Sequence, residues 1–195
     1  MKIKNKILSV LQEAWINDGL VEVKRKGLDA SSAGFVIDIS DGWLLLHTVN
    51  GDFLQFDGYE ALRLGDITRA EKKTDWVTRA KESLGLYPIL QPDVLIVDLH
   101  GLLSSVNSHF PILGIEREAT VPGTLYIGRI EKLRKKTVTL RELNMDAQWY
   151  SRDIRHRLRD VTRVTFGDTY MTLLLKFARA QEAETASESE NTDNS

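Results

Sequence analysis

The chain has 195 residues, 42% of them hydrophobic, and a formal net charge of −2. This length and hydrophobic content suffice for one or two small domains with packed cores, and the balanced charge favours no class of partner by itself. The absence of cysteine excludes disulfides, thiol nucleophiles and cysteine-ligated zinc.

The first predicted element is a helix over residues 3–15, where apolar side chains recur at helical spacing on one face. Alternating apolar residues then predict strands in the segments GFVIDIS and WLLLHTV, and Asp41-Gly42 between them predicts a hairpin turn. The segment NGDFLQF predicts a third strand, and a turn at Asp57-Gly58 leads into the strand YEALRL. The short segment DITRAE closes this group of strands.

Helices are also predicted around the second group of strands. Thr74 can cap the helix DWVTRAKESL, and Asp98 can cap a helix over residues 98–109. The segment TYMTLLLKFARAQ predicts a last helix in the place that matches the one after Thr74. From Gln181 onward the chain carries five acidic residues and no basic one, so we expect residues 181–195 to form a disordered acidic tail.

An internal repeat relates the two halves, because residues 34–69 align with residues 128–163 without a gap, at a constant offset of 94 positions. Nine of the 36 aligned pairs are identical, and the apolar positions keep the same phase. We interpret this match as a duplication in which each copy is one structural unit. The identical pairs are Gly34/Gly128, Leu46/Leu140, Asn50/Asn144, Asp52/Asp146, Arg63/Arg157, Leu64/Leu158, Asp66/Asp160, Thr68/Thr162 and Arg69/Arg163.

Each copy, with its preceding helix, its G-x-(V/I) opening strand and its central hairpin, resembles the Sm/Sm-like fold. SH3-like and PRC-type barrels have the same strand pattern and stay as alternatives, and FDGYEALRLGDITRAE also resembles a segment of uncharacterised bacterial proteins. The expected fold is α+β, mostly β, with two tandem small bent β-barrels that are each flanked by helices. The expected segments are 1–86 (first helix and barrel), 87–97 (linker), 98–180 (second helix and barrel) and 181–195 (tail).

Charge distinguishes the two copies. Residues 34–69 hold six acidic and two basic residues, whereas residues 128–163 hold eleven basic and five acidic residues. Such a basic patch predicts attraction of an anionic partner, RNA or an acidic protein, although charged strand edges that prevent aggregation are the alternative interpretation. The candidate anion-binding or nucleic-acid-binding residues are Lys132, Arg134, Lys135, Lys136, Arg152, Arg155, Arg157 and Arg159.

No motif indicates catalysis, a metal or a cofactor. The four histidines form neither H-x-x-x-H nor H-E-x-x-H, and there is no Gly-rich phosphate loop or G-x-S-x-G elbow. Asp66 and Asp160 each precede (I/V)-T-R, and we interpret both as structural carboxylates that close a turn by accepting backbone N–H bonds. Neighbouring arginines, Arg63 and Arg69 with their repeat equivalents, are expected to pair with them.

These patterns favour a non-catalytic binding or scaffold protein that recognises a protein partner, of the adaptor or toxin-immunity type. The alternative is an RNA-binding protein that uses the basic second copy, and a hydrolase of unrecognised type is the least favoured class. No apolar run approaches the roughly 18 residues of a membrane span, and no cleavage site follows the basic N-terminus, so we expect a cytoplasmic protein without membrane association. The sequence leaves the partner's identity and the oligomeric state open.

Overall fold

The computed structural model describes residues 3–28, 31–50, 55–73 and 91–193. Its helices are α1 (Asn5–Ile16), α2 (Leu99–His109) and α3 (Thr169–Asp193). Short 3-10 helices span Leu64–Asp66 and Leu158–Asp160. The strands are β1 (Leu20–Arg25), β2 (Ser31–Ile39), β3 (Trp43–Asn50), β4 (Gln55–Arg63), β5 (Ile67–Lys72), β6 (Leu113–Arg117), β7 (Val121–Arg134), β8 (Thr137–Glu142), β9 (Ile154–Arg157) and β10 (Arg163–Phe166).

All ten strands belong to one antiparallel sheet, in the order β5-β1-β2-β3-β4-β10-β6-β7-β8-β9. The prediction of two tandem small β-barrels is therefore wrong, whereas the coarser prediction of a mostly β, α+β protein is confirmed. The halves join where β4 pairs with β10, from Tyr59 opposite Phe166 to Leu62 opposite Arg163. The alternation of apolar residues indicates which side chains face a core. The same alternation occurs in a closed barrel and in an open sheet, so the sequence pattern could not distinguish the two.

The two halves of the sheet have the same internal strand order. In the first half β5 lies beside β1, followed by β2, β3 and β4, and in the second half β10 lies beside β6, followed by β7, β8 and β9. The 3-10 helices at Leu64–Asp66 and Leu158–Asp160 are also 94 positions apart. This identical order agrees with the duplication that the alignment indicates.

The largest hydrophobic cluster is shared by both halves. It contains Leu45 of β3, Leu140 of β8 and Phe166 of β10, together with the buried face of α2. Phe166 also stacks on Tyr59 across the junction, with 5.4 Å between the ring centroids. Burial of apolar surface, worth about 25 cal/mol per Å², thus stabilises the contact between the halves as well as each half.

The two outer helices each cover one half of the sheet. The buried face of α1 carries Ile7 and Leu11, which pack into the cluster of the first half. The buried face of α3 carries Met171 and Leu174, which pack into the cluster of the second half. Asp98 caps α2 as the sequence predicts, because its Oδ1 accepts a hydrogen bond of 2.7 Å from the Gly101 N–H.

Three local differences from the sequence expectations follow from context. The turn predicted at Asp57-Gly58 lies inside β4, where Gly58 adopts a φ of 74° and has no room for a Cβ beside the Asp168 nitrogen. Helix α3 continues to Asp193, through the stretch for which a disordered tail was expected, and this stretch is rich in the helix formers Ala, Glu and Gln. The helix predicted after Thr74 lies outside the described residues.

Candidate anion-binding surface

Strands β7, β8 and β9 form one end of the sheet and expose one face. In β8, Val138 and Leu140 are fully buried in the core shared by the halves. Because side chains alternate along a strand, Thr137 and Thr139 lie on the opposite, outward face. These two threonines mark the centre of the surface that carries most of the predicted basic residues.

Basic residues flank the two threonines in cross-strand rows. One row is Lys132, Thr139 and Arg155, and the next is Arg134, Thr137 and Arg157. Directly opposite residues on neighbouring strands have Cβ atoms about 4.5–5.5 Å apart. Four cationic side chains are therefore concentrated on this outward face, which we call the basic face.

A β-bulge in β7 places two of these cations on the outward face. Ile130 pairs with Leu140 and packs towards the core, and on a regular strand Lys132 and Arg134 would share its face. The register shift between Ile130 and Lys132 turns both side chains outward, while Leu133 packs against the core. The first half has the same register shift, between Val36 and Asp38, but an aspartate stands where the second half has Lys132.

The hairpin turn between β7 and β8 extends the basic face. Lys135 and Lys136 of this turn, together with Arg157 and Arg159, line an open cavity of about 660 Å³. The Leu158 N–H donates a 3.0 Å hydrogen bond to the Lys136 carbonyl, which holds the 3-10 helix against the turn. The structure therefore brings together the two lysine and two arginine side chains, which lie about twenty positions apart in the sequence.

Hardly any acidic side chain among the described residues neutralises the basic face. Within the part of the chain that the structure describes, salt bridges involve only one of these basic residues, Arg159, whose Nε lies 3.5 Å from Asp160 Oδ1. The other basic residues of the face are exposed. Like charges held together without counter-charges produce a positive potential that attracts an anionic partner.

The remaining predicted residue, Arg152, is exposed in the bend before β9 and does not line that cavity. Of the aromatic side chains near it, Trp149 packs against the α3 cluster and lies under the Arg129 guanidinium, 5.1 Å from its ring centroid. Tyr150 is 47% exposed, although its match to Phe56 in the alignment predicts a core position. Tyr150 is thus the aromatic ring of this region that is available for stacking.

The two predicted structural carboxylates make ion pairs. Asp66 accepts a 2.6 Å hydrogen bond from Arg63 Nε, as expected for a neighbouring arginine. Asp160 instead pairs with Arg159, a residue that was assigned to anion binding. The described contacts of both side chains are with guanidinium groups, whereas the sequence interpretation expected backbone N–H donors.

A buried network of charged residues lies at the junction of the halves, and the sequence patterns did not predict it. Arg25 of β1 pairs with Glu118, which also accepts a 2.8 Å hydrogen bond from the Thr162 hydroxyl. Arg163 pairs with Glu116 of its own half and with Glu60 of the other half. The recurrence of Thr-Arg in both copies was a signal, but it did not reveal these partners because they lie 44–103 positions away.

The pKa values of two neighbouring carboxyl groups in this network are shifted in opposite directions. Burial raises the pKa of Glu116 to about 7, and its hydrogen bond to Glu118 adds to the shift. Burial also acts on Glu118, but the hydrogen bond from Glu116 and the positive charge of Arg25 lower the pKa of Glu118 below its usual value. Glu116 is therefore the member of the pair that holds the proton, and the two titrate as one unit.

This pair predicts a decrease in stability as pH rises. The unfolded Glu116 titrates near 4.5 and the folded one near 7, so the folded state binds more protons between these values and the free energy of unfolding falls as pH rises through this window. We expect a loss on the order of 1–3 kcal/mol, measured as urea unfolding midpoints at several pH values. Glu116→Gln, which mimics the protonated form, should remove this loss, whereas Glu71→Gln should keep it.

The described residues contain no group of three or more histidine, aspartate or glutamate side chains that could hold a metal ion. None of the helices in the described part of the chain is long and apolar enough to cross a membrane. The chain matches no protein-family model, no curated protein and no solved structure.

Proposed function

We propose that the chain is a cytoplasmic, non-catalytic binding protein whose basic face binds single-stranded RNA. The observation that carries this proposal is the set of exposed cations on β7, β8 and β9, almost all without acidic partners among the described residues. When lysine and arginine neutralise phosphates, they release counterions condensed on the nucleic acid. This release supplies most of the free energy of binding that does not depend on base sequence. Tyr150 adds an exposed ring on which a base can stack.

The sequence of each copy resembles Sm-like RNA-binding units, which favours RNA as the anionic partner, although the strands form one continuous sheet and not the two barrels that the resemblance implied. Sm-like RNA-binding proteins usually carry an I-R-G-type motif. Arg63-Leu64-Gly65 resembles it loosely, whereas Arg157-Leu158-Arg159 lacks the glycine. We therefore place the binding surface on the exposed arginine and lysine side chains of the basic face and not on this motif.

The test is fluorescence anisotropy with a labelled single-stranded RNA at several salt concentrations. The double variant Arg155→Gln/Arg157→Gln removes two exposed cations from the basic face. Because each phosphate contact on a single strand contributes about −0.7 to the slope of log K against log salt, we expect the slope to become shallower by about 1.4. Binding at low salt should weaken by about tenfold or more.

The matched control is Lys4→Gln/Lys6→Gln, which removes the same charge from exposed positions of the first half. It should leave both the affinity and the slope nearly unchanged. Equal losses in the two double variants would show that net charge, and not the basic face, attracts the RNA. Failure of the unsubstituted protein to bind RNA at low salt would exclude the proposal.

A protein partner is the second candidate, and a separate observation favours it. Tyr170, Leu173 and Phe177 of α3 are 52%, 58% and 57% exposed and follow one another at helical spacing. Met145 and Tyr150 are also exposed and line a groove of about 430 Å³ that reaches Tyr170. Exposed apolar side chains that form a continuous patch are typical of protein interaction sites.

This second candidate predicts that Leu173→Ser/Phe177→Ser abolishes capture of a specific protein by the tagged chain. Glu182→Ser, at an exposed position of the same helix, is the control and should retain the partner. The extracts are treated with ribonuclease so that a protein bridged by RNA is not counted. A partner that stays bound to the double variant would exclude the α3 surface as its site.

A further inference from the structure

The junction of the two halves contains a cavity of about 290 Å³. It lies where β4 pairs with β10, and its walls include Asp57 and Glu60 of β4 and Arg163 and Thr165 of β10. Asp168, just before α3, completes the polar part of the wall. Both halves contribute to this cavity, and neither half contains it alone.

Negative charge predominates in the cavity. Three carboxylates, those of Asp57, Glu60 and Asp168, face the guanidinium of Arg163. Burial raises the pKa of Asp168, and the charges of Asp57 and Glu60 raise it further, although a hydrogen bond from the Met171 N–H opposes the shift. The carboxylates therefore repel one another, and this repulsion is not cancelled by the arginine.

Two buried oxygen atoms of the wall have no hydrogen-bond partner among the described residues. Thr165 is only 7% exposed, and its Oγ1 is one of them. The other is Oε2 of Glu60, whose Oε1 accepts from Arg163. Since Glu60 and Thr165 lie directly opposite each other in the register, their side chains share one face of the sheet. A buried polar atom without a hydrogen bond destabilises the folded state. Two such atoms side by side therefore indicate that a ligand or an ordered water binds here.

We propose that this cavity binds the ammonium or guanidinium group of a small organic cation. N–H donors of such a group would satisfy Glu60 Oε2 and Thr165 Oγ1, and its positive charge would offset the excess of carboxylates. Tyr170, which is 52% exposed, also lines the cavity and offers an aromatic face of the kind that organic cations favour. The volume is near the lower end of the range for small-molecule sites, about 300–1,000 Å³.

The probe is agmatine, which has a guanidinium group at one end and an ammonium group at the other, titrated into the full chain by isothermal calorimetry. The uncharged control ligand is 1,4-butanediol, and the ionic strength is matched. We expect agmatine to bind and butanediol not to bind. Thr165→Val, which removes the hydroxyl and keeps the shape, should weaken agmatine binding by about tenfold, and Glu60→Gln should weaken it by more.

Glu71→Gln is the matched control variant, because Glu71 is an exposed glutamate of β5 far along the sheet from the cavity. It should bind agmatine like the unsubstituted chain, as should Arg155→Gln/Arg157→Gln, whose substitutions lie on the basic face. If Glu60→Gln fails to fold by circular dichroism, Thr165→Val decides alone. Equal affinity in Thr165→Val and Glu71→Gln, or no binding of agmatine by the unsubstituted chain, would overturn the proposal and leave a cavity that holds water only.

Discussion

Replacing Arg25 by methionine will lower the free energy of unfolding by about 3–5 kcal/mol. Arg25 is 4% exposed, and its guanidinium pairs with the Glu118 carboxylate, whose side chain is 8% exposed. Removal of the arginine leaves Glu118 buried with two neutral donors, the Thr162 hydroxyl and the protonated Glu116 carboxyl, so its negative charge stays in the junction without a cationic partner. Urea unfolding followed by circular dichroism measures the loss.

Arg69→Met is the matched control, because Arg69 pairs with Glu71 at the exposed edge strand β5. An exposed ion pair contributes about 0–1 kcal/mol, so this variant should unfold almost like the unsubstituted chain. The double variant Arg25→Met/Glu118→Leu should regain most of the stability, because apolar side chains can replace a buried ion pair at little cost. If Arg25→Met and Arg69→Met lowered the free energy of unfolding equally, burial of the ion pair could not be the cause of the destabilisation.

Local signals account for the parts of the fold that could be predicted from the sequence. The β2–β3 hairpin follows from alternating apolar residues around Asp41-Gly42, and α2 follows from helical spacing after Asp98. The pairing of β4 with β10 has no such signal, because it joins residues about one hundred positions apart. Each copy alone is compatible with a closed barrel, and only the contact between copies decides in favour of one continuous sheet.

For the candidate surfaces too, the sequence indicates single residues but not the contacts between distant parts of the chain. The basic residues of the second copy could be identified one by one, but their common face depends on the bulge before Lys132, which the sequence does not mark. Likewise, Arg25 and Glu118 are 93 positions apart, and nothing near either residue indicates a buried pair. The cavity at the junction of the two halves depends on the contact between β4 and β10, so local sequence patterns could not predict it.

Gly128→Ala will destabilise the protein by about 3 kcal/mol or more. Gly128 lies within β7, paired with β6 on one side and β8 on the other, and a Cβ there would lie 2.2 Å from the Arg141 carbonyl oxygen. That oxygen belongs to the backbone of β8 and cannot move aside without breaking the strand pairing. Thermal unfolding by circular dichroism measures the effect, and Gly34→Ala should act in the same direction, since its Cβ would lie 2.6 Å from the His47 carbonyl oxygen.

Gly42→Ala provides the control, because a Cβ at this hairpin position has no neighbour within 4 Å. There the substitution should leave stability unchanged or increase it by about 0.4–1 kcal/mol, through a lower entropy of the unfolded chain. Gly34 and Gly128 are an identical pair in the aligned copies, so the close approach of the neighbouring strand gives one physical reason for a glycine in both. If Gly128→Ala proved as harmless as Gly42→Ala, the close packing of β7 against β8 could not be the reason that both copies carry glycine there.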